Sequence, residues 1–418
     1  MLHSKININR LEKNLKDLSE VGKNDKGGID RALGSEADQE ARKWLMAYWD
    51  KNLELPVKTD AIANMWVERA GIEDIAPIVI GSHHDTVPNG GMYDGALGVL
   101  LATELVQILE ENNVTTRHPI AIVSFTGEEP NPFNVSTLGS RVVSGRVGKE
   151  ELLGIKNIED GTTLQACIEK IGGDLEKIQD ALIKPGDISA FIECHIEQGR
   201  RLVDANQAVA SVNCIIGIYR ENITIIGDAN HAGTTVMRDR QDALLGACEL
   251  NLAFEKMLKD LESDEVVGTI GYLSVFPNAA NIIPGEVELV LEIRTCEPQI
   301  KEDIVRKLGI EGEKIMKNRG VKIIRKVNLD QREMPMDETV MRAINKGIEI
   351  IGEPVRELVS MAGHDAANMQ RVTQSGMIFV QSIDGKSHCP SEKTHIKDIE
   401  KVGNAMLEAL LILDRELN

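Results

Sequence analysis

Four separate places in this sequence put a histidine or a carboxylate directly behind, or at the end of, a short apolar run. His83-His84-Asp85 follows residues 78–81, Glu128-Glu129 follows 120–125, His195 closes 190–194, and His388 comes after 377–380. Asp94 sits in a glycine-rich turn, Gly90-Gly91-Met92-Tyr93-Asp94-Gly95, just ahead of an apolar-periodic segment. A carboxylate is favoured at such a helix N-terminus. Histidine with Asp and Glu, without cysteine, is the donor set of a catalytic zinc or a related divalent ion. Two histidines and one carboxylate suffice for one ion. Three histidines and two carboxylates serve two ions that share a bridging group. Asp85 is spaced to orient the His83 ring from behind. Glu128 and Glu129 are adjacent and point differently, so one can bind metal while the other takes a proton from activated water. Each feature alone has a bland reading: a structural histidine, a solvated turn, a tight connection. Their common position behind strands favours a metal site.

The elements that must carry these residues are legible in outline. Residues 78–81, 120–125, 190–194 and 377–380 read as buried strands. Residues 95–110 read as a helix, with Val99, Ala102, Val106 and Leu109 on one side. Strands alternating with helices predict an α/β core with a mainly parallel sheet. In such sheets ligands bind beyond the carboxyl ends of the strands, where all four groups arrive. Residues 1–22, with Leu11, Leu15 and Leu18 at helical spacing among charges, read as an amphipathic helix and not a signal peptide. The chain ends in another helix, with Ile399, Val402, Met406, Leu410 and Leu413 on one side. The middle differs: strand 215–226, helix 242–261, strands 266–276 and 286–294, helix 301–317 and strand 321–327. That β-α-β-β-α-β order is the ferredoxin-like arrangement. The expected organisation is a discontinuous catalytic metal-binding domain, 1–212 and 331–418, with an inserted domain at 213–330.

The 418 residues suit two domains. With 42% apolar and 27% charged residues, the chain reads as globular. Lys plus Arg is 47 and Asp plus Glu is 66, a net charge of −19. Nucleic acid and anionic membranes are thereby poor partners, and an anionic substrate needs a local cation. No apolar run approaches the ~18 residues of a membrane span. Six scattered cysteines without a CxxC pair read as reduced thiols in a cytoplasmic protein. His3, His118 and His395 read as surface residues, His84 as a bystander, and Cys389 as inert. Gly385-Lys386-Ser387 ends like a phosphate loop, but Val380 stands where its first glycine belongs.

Gly81-Ser82-His83-His84-Asp85-Thr86-Val87, the 90–95 turn, Glu128-Glu129 and Leu138-Gly139-Ser140-Arg141 resemble the metal-dependent aminoacylase and carboxypeptidase superfamily. His195-Ile196-Glu197-Gln198-Gly199, His231-Ala232-Gly233-Thr234-Thr235, Gly363-His364-Asp365-Ala366 and Ser387-His388-Cys389-Pro390 narrow the resemblance to its N-carbamoyl-L-amino acid hydrolase and allantoate amidohydrolase branch. The resemblance runs from about residue 6 to 413. It implies that His83, Asp94, Glu129, His195 and His388 hold two divalent ions, with Asp94 bridging. Zinc is the first expectation, and manganese, cobalt and nickel suit the same donors. It implies Glu128 as general base and proton donor, and Asp85 as its catalytic companion. His231 would polarise the scissile carbonyl. Gln198, Arg220, Asn281, Arg294 and Gly363 would line the substrate site, with Arg294 on a carboxylate. The inserted domain would act as lid and homodimer contact.

Three stretches depart from that pattern: Pro130-Asn131-Pro132-Phe133 after Glu129, Val236 after Thr235, and Met361 before Ala362-Gly363. None is a metal ligand, so they bear on the substrate and not on the reaction class. The expected reaction is hydrolysis of a ureido or carbamoyl C–N bond. Allantoate or ureidoglycolate is the alternative substrate. An aminoacylase or peptidase on the same scaffold is a weaker alternative, and a non-catalytic binding protein weaker still.

Overall fold

A computed structural model describes residues 5–417. His3 and the first four residues of the expected N-terminal helix lie outside the described residues. The chain divides into two compact units, residues 1–213 with 336–418, and residues 214–335. The sequence reading placed the changes after 212 and 330.

In the first unit, α1 (Ile8–Ser19) is capped by the Asn7 side chain and buries Leu11, Leu15 and Leu18. Helix α2 (Glu36–Leu53) starts at Ser35, whose hydroxyl accepts from Asp38 N–H, and buries Ala41, Leu45 and Trp49. Strands β1 (Val57–Thr59), β2 (Met65–Arg69), β3 (Ile78–His83), β4 (Ile120–Phe125), β5 (Ala190–Ile196) and β6 (Val209–Ile215) follow, with α3 (Ala96–Glu111) between β3 and β4. The chain then builds the second unit from β7 (Gly217–Ile226), α4 (Ala243–Lys259), β8 (Val266–Phe276), β9 (Glu286–Thr295), α5 (Pro298–Arg319) and β10 (Lys322–Gln331). It returns through β11 (Met334–Pro335), α6 (Glu338–Ile350), β12 (Glu357–Ser360), α7 (Asp365–Met369), β13 (Gln374–Val380) and α8 (Ile396–Glu416).

The large sheet has the order β1-β2-β4-β3-β5-β13-β6-β11, with β12 also on β6. Its centre, β4-β3-β5-β13, is parallel. The flanking pairs β1–β2, β2–β4, β13–β6 and β6–β11 are antiparallel. Every residue of β3, β4 and β5 is buried, which explains why these strands read as unbroken apolar runs. Helix α3 is buried along most of its length, and α8 packs Ile399, Val402, Met406 and Leu410 into the same core. The parallel centre delivers His83 and His195 at the carboxyl ends of β3 and β5, and the loops beyond β4 and β13 carry Glu128-Glu129 and His388.

The second unit is an antiparallel sheet, β10-β7-β9-β8. Its core contains Ile223, Ile225, Leu250, Phe254, Leu289, Leu291, Ile304 and Leu308. Strand β8 lies at the edge, where Tyr272, Leu273 and Phe276 are exposed, as is Leu252 on α4.

Two sequence expectations need correction. Cys214 and Cys296 form a disulfide, with Cα atoms 6.5 Å apart. The β7–β9 register pairs Gly217 with Thr295, which brings two cysteines 82 residues apart into bonding range. Only Cys167, Cys194, Cys248 and Cys389 are free thiols. His118 is buried, not on the surface: its backbone N–H donates to Asp414 Oδ1 at 2.8 Å, and its ring lies 3.3 Å from the same atom. That partner comes from α8, nearly 300 residues away, beyond the reach of any local pattern. His395 is exposed, as expected. Among the described residues, no helix is long and apolar enough to cross a membrane.

Candidate metal centre and active site

The five histidines and carboxylates expected as ligands come together in the first unit. His83 Nδ1 faces the Asp85 carbonyl at 3.2 Å, and His195 Nδ1 faces the Ile196 carbonyl at 2.9 Å. Each ring therefore directs Nε2 towards Asp94 Oδ1, at 3.5 and 3.1 Å. On the other side His388 Nε2 lies 3.5 Å from Asp94 Oδ2 and 3.3 Å from Glu129 Oε1. Two donor groups result, His83–Asp94–His195 and Asp94–Glu129–His388, each with its donor atoms within 4.8 Å of one another. Asp94 belongs to both.

The donors fit divalent cations chemically. With Nδ1–H committed to a carbonyl, a neutral imidazole presents a lone pair at Nε2, and two such lone pairs facing one carboxylate need a positive charge between them. His83 Nε2 is buried and has no hydrogen-bond partner among the described residues. Burial lowers the His83 pKa, but Glu128, Asp85 and Asp94 outweigh it and hold the ring well above the usual imidazole range. His195 is raised in the same way, against its burial, by Asp94. His388 is raised to about 9, chiefly by its bond to Glu129. The site thus draws in protons where a metal ion would supply the charge.

Local backbone chemistry sets this geometry. Gly95 has φ +63°, and a Cβ there would fall 2.3 Å from the His83 ring, so only glycine lets the Asp94 turn close over that histidine. The Asp85 carboxylate accepts the N–H groups of Glu128 (3.2 Å) and Glu129 (3.0 Å), tying the loop after β4 to the end of β3. Asp85 thus positions the glutamates as well as lying beside His83. Glu128 Oε2 is 3.7 Å from His83 Nε2. Burial, Glu129, Asp365 and Asp85 drive the Glu128 pKa well above the carboxylate range, against the pull of His83. A raised carboxyl is suited to taking and returning a proton near neutrality.

Gln198, expected on the substrate, donates from Nε2 to Asp94 Oδ2 at 2.7 Å, and its Oε1 is buried without a partner among the described residues. Gly363 is exposed, with open space where a side chain would be. Asn131, in the departing Pro130–Phe133 stretch, donates to the Glu129 carbonyl and accepts from Phe133 N–H.

Sequence reasoning missed several contributors. His84 is no bystander: its ring bridges Ser124 Oγ (2.7 Å) and Asp38 Oδ1 (2.8 Å) in a fully buried network with Arg42. His364, a neighbour of Gly363 that the resemblance already put at the pocket, packs edge-on against His195, with ring centroids 4.5 Å apart. Glu392 and Ser387 contact Asp94. The paired glycines at 90 and 91 were the one available signal for Glu392.

The remaining residues lie in the second unit. His231 Nδ1 accepts the N–H groups of Gly233 (3.0 Å) and Thr234 (3.2 Å), which leaves the ring proton on an exposed Nε2. Asn281 is its neighbour, with its carbonyl accepting Ala232 N–H. Arg220 and Arg294 stand on adjacent strands, both bonded to Glu292.

The sequence pattern of the peptidase family M20/M25/M40 matches residues 79–412. An N-carbamoyl-L-amino acid amidohydrolase of Geobacillus stearothermophilus is 35% identical over 92% of this chain and 93% of its own. An allantoate amidohydrolase of Bacillus subtilis is 31% identical over 94% of both chains. The crystal structure of a hydantoinase/carbamoylase family amidase from Burkholderia multivorans superposes with a TM-score of 0.88, at 31% identity over 99% of both chains.

Proposed function

The chain belongs to the peptidase family M20/M25/M40 and is an amidohydrolase acting on amide C–N bonds, and from that premise we propose that it cleaves the carbamoyl C–N bond of an N-carbamoyl-L-amino acid or a similar ureido carboxylate. The observation that carries this reading is the pair of donor groups sharing Asp94, with Glu128 against His83. His83, Asp94 and His195 would hold one ion, and Asp94, Glu129 and His388 the other. Zinc is the expected metal, with manganese, cobalt or nickel as substitutes. When bound, such ions acidify water and polarise a carbonyl oxygen.

Glu128 takes the proton of the attacking water and returns it to the leaving nitrogen. Asp85 keeps the backbone of Glu128 and Glu129 in place while this happens. His231 Nε2–H donates to the developing oxyanion, a role its tautomer suits. Arg294 holds the substrate carboxylate with Arg220 beside it, supplying the local cation that a chain of −19 needs. Asn281, Gly363 and the unpartnered Gln198 Oε1 complete the substrate contacts. An N-carbamoyl amino acid and one water yield the amino acid, carbon dioxide and ammonia.

The second unit, ferredoxin-like in its β-α-β-β-α-β order, serves as lid and homodimer contact in this reading. Its exposed edge strand β8 and the apolar Leu252, Tyr272 and Leu273 support the latter. The similarity to an allantoate amidohydrolase keeps allantoate, and with it ureidoglycolate, as the alternative substrate.

The test is ammonia release by metal-reconstituted protein. The panel contains N-carbamoyl-L- and D-amino acids, N-carbamoyl-β-alanine, allantoate and ureidoglycolate, with an N-acetyl amino acid and a dipeptide followed by amine release. Chelator-sensitive turnover of an N-carbamoyl-L-amino acid is the expected result. Cleavage of only the acetyl or peptide substrate would move the protein to aminoacylase or peptidase chemistry.

A further inference from the structure

Glu392 is a buried carboxylate with no place in the reaction just described, and its contacts are unusual in where they lead. Its Oε1 accepts the backbone N–H groups of Tyr93 (2.8 Å) and Asp94 (3.1 Å). Ser387 Oγ lies 3.1 Å from Glu392 Oε2 and 2.6 Å from Asp94 Oδ2, so one hydroxyl proton is shared between the two carboxyl groups. One side chain therefore holds the main chain of Asp94 and, through one hydroxyl, the carboxylate of Asp94. Ser387 precedes His388, and Glu392 follows it by four residues, so the same contacts fix the base of the His388 loop. The two loops are 298 residues apart in sequence at the Asp94–Glu392 contact.

The approach is close enough to dictate sequence. A Cβ on Gly91 would fall 2.2 Å from the Glu392 carboxyl carbon, so glycine at 91 is the opening through which Glu392 reaches the two N–H groups. Hydrogen bonds donated by backbone N–H groups to a carboxylate are among the stronger kinds, and these two are shielded from water. Partners that orient metal ligands typically set metal affinity or activity by roughly 10–100-fold.

We propose that Glu392 is a positioning residue that locks the Asp94 turn to the His388 loop and thereby sets the geometry of the Asp94–Glu129–His388 cation position. The inference rests on reading those three residues as metal ligands. The His83–Asp94–His195 position depends on Glu392 through Asp94 alone, whereas the other position also takes His388 from the loop that Glu392 fixes, so the two respond unequally to its loss.

The experiment titrates the metal-free full-length protein with Co(II), following the visible absorption of each equivalent and the heat of binding, for the parent, Glu392→Ala, Glu392→Gln and Ser387→Ala. The parent is expected to bind two equivalents. Glu392→Ala is expected to weaken one of them roughly 10–100-fold and alter its spectrum, leaving the other within a few-fold. Glu392→Gln keeps an acceptor for the two N–H groups and is expected to restore near-parental binding. In the Co(II)-loaded protein, kcat should fall in Glu392→Ala with KM little changed. Parental affinities and spectra in Glu392→Ala overturn the inference, as does an equal loss in the Gln and Ala variants. Should Glu392→Ala fail to fold, Ser387→Ala decides: a weakened second equivalent supports the inference, and unchanged binding overturns it. A parent that binds no Co(II) would instead remove the ligand reading on which the inference stands.

Discussion

At the scale of single residues, the proposed division of labour between Glu128 and Glu129 makes a sharp prediction. Glu128→Gln keeps both donor groups, so it should bind metal as the parent does while kcat falls by about 10²–10⁴-fold, the usual contribution of a general base. Elemental analysis beside steady-state kinetics checks both halves, and near-parental turnover would remove Glu128 from the mechanism. Gly95→Ala should act oppositely: its Cβ displaces the His83 ring, so metal content falls before any catalytic group is touched. Four of the candidate ligands were legible because they end or follow strands of a kind that sequence patterns reveal, and Asp94 because its glycine-rich turn opens a helix. Glu392, Ser387 and the Asp38 partner of His84 were not, because each acts through a contact that exists only once distant segments have met. Arg294 was placed on a carboxylate only by the family resemblance; its bond to Glu292 lies within β9, and it is Arg220 that needs the pairing of β7 with β9 to reach the same carboxylate.

At the scale of elements, the site stands on a buried electrostatic joint between α2 and the end of β3. Asp38 on α2 pairs with Arg42 one turn later at 2.9 Å and with His84, the residue after the candidate ligand His83. Both carboxylate and guanidinium are almost entirely buried. Removing one partner strands the other, so Asp38→Ala should cost about 3–5 kcal/mol of stability, measured by urea unfolding at pH 7. Burial raises the Asp38 pKa, but Arg42 and His84 outweigh it and hold the folded value below the usual 3.8. A depressed folded value stabilises fully above the unfolded pKa and progressively less as pH falls through the folded one. The advantage of the parent over Asp38→Asn should therefore be constant above pH 5 and shrink as the pH drops below 4. A pH-independent difference would contradict the ionised pair. The parallel strands were readable because burial on both faces makes them continuously apolar. The antiparallel flanks were not, since β1 and β11 are too short to carry a pattern of their own.

At the scale of the whole molecule, the proposed dimer gives a concentration-dependent test. Leu252→Glu with Leu273→Glu puts charge on the exposed apolar face of the second unit. It should shift sedimentation from dimer to monomer while leaving the metal content of the first unit unchanged. The disulfide offers another: it closes a span of 82 residues, so replacing Cys214 and Cys296 by serine should lower the unfolding free energy of that unit by about 4 kcal/mol on loop-closure grounds. The strand order carries a consequence for how the protein is made. Strand β13 lies between β5 and β6, yet it leaves the ribosome after the entire second unit. Until then the large sheet has a gap at its centre, with two unpaired strand edges facing one another. The nascent chain must hold that slot open, unfilled by a neighbour's strand, while the second unit completes itself. Residues 374–380 supply the strand that closes the slot, and the His388 loop follows them. The proposed Asp94–Glu129–His388 position is thus completed only after the second unit has been made, and chains that stop short of residue 374 are expected to aggregate rather than to act as weaker enzymes.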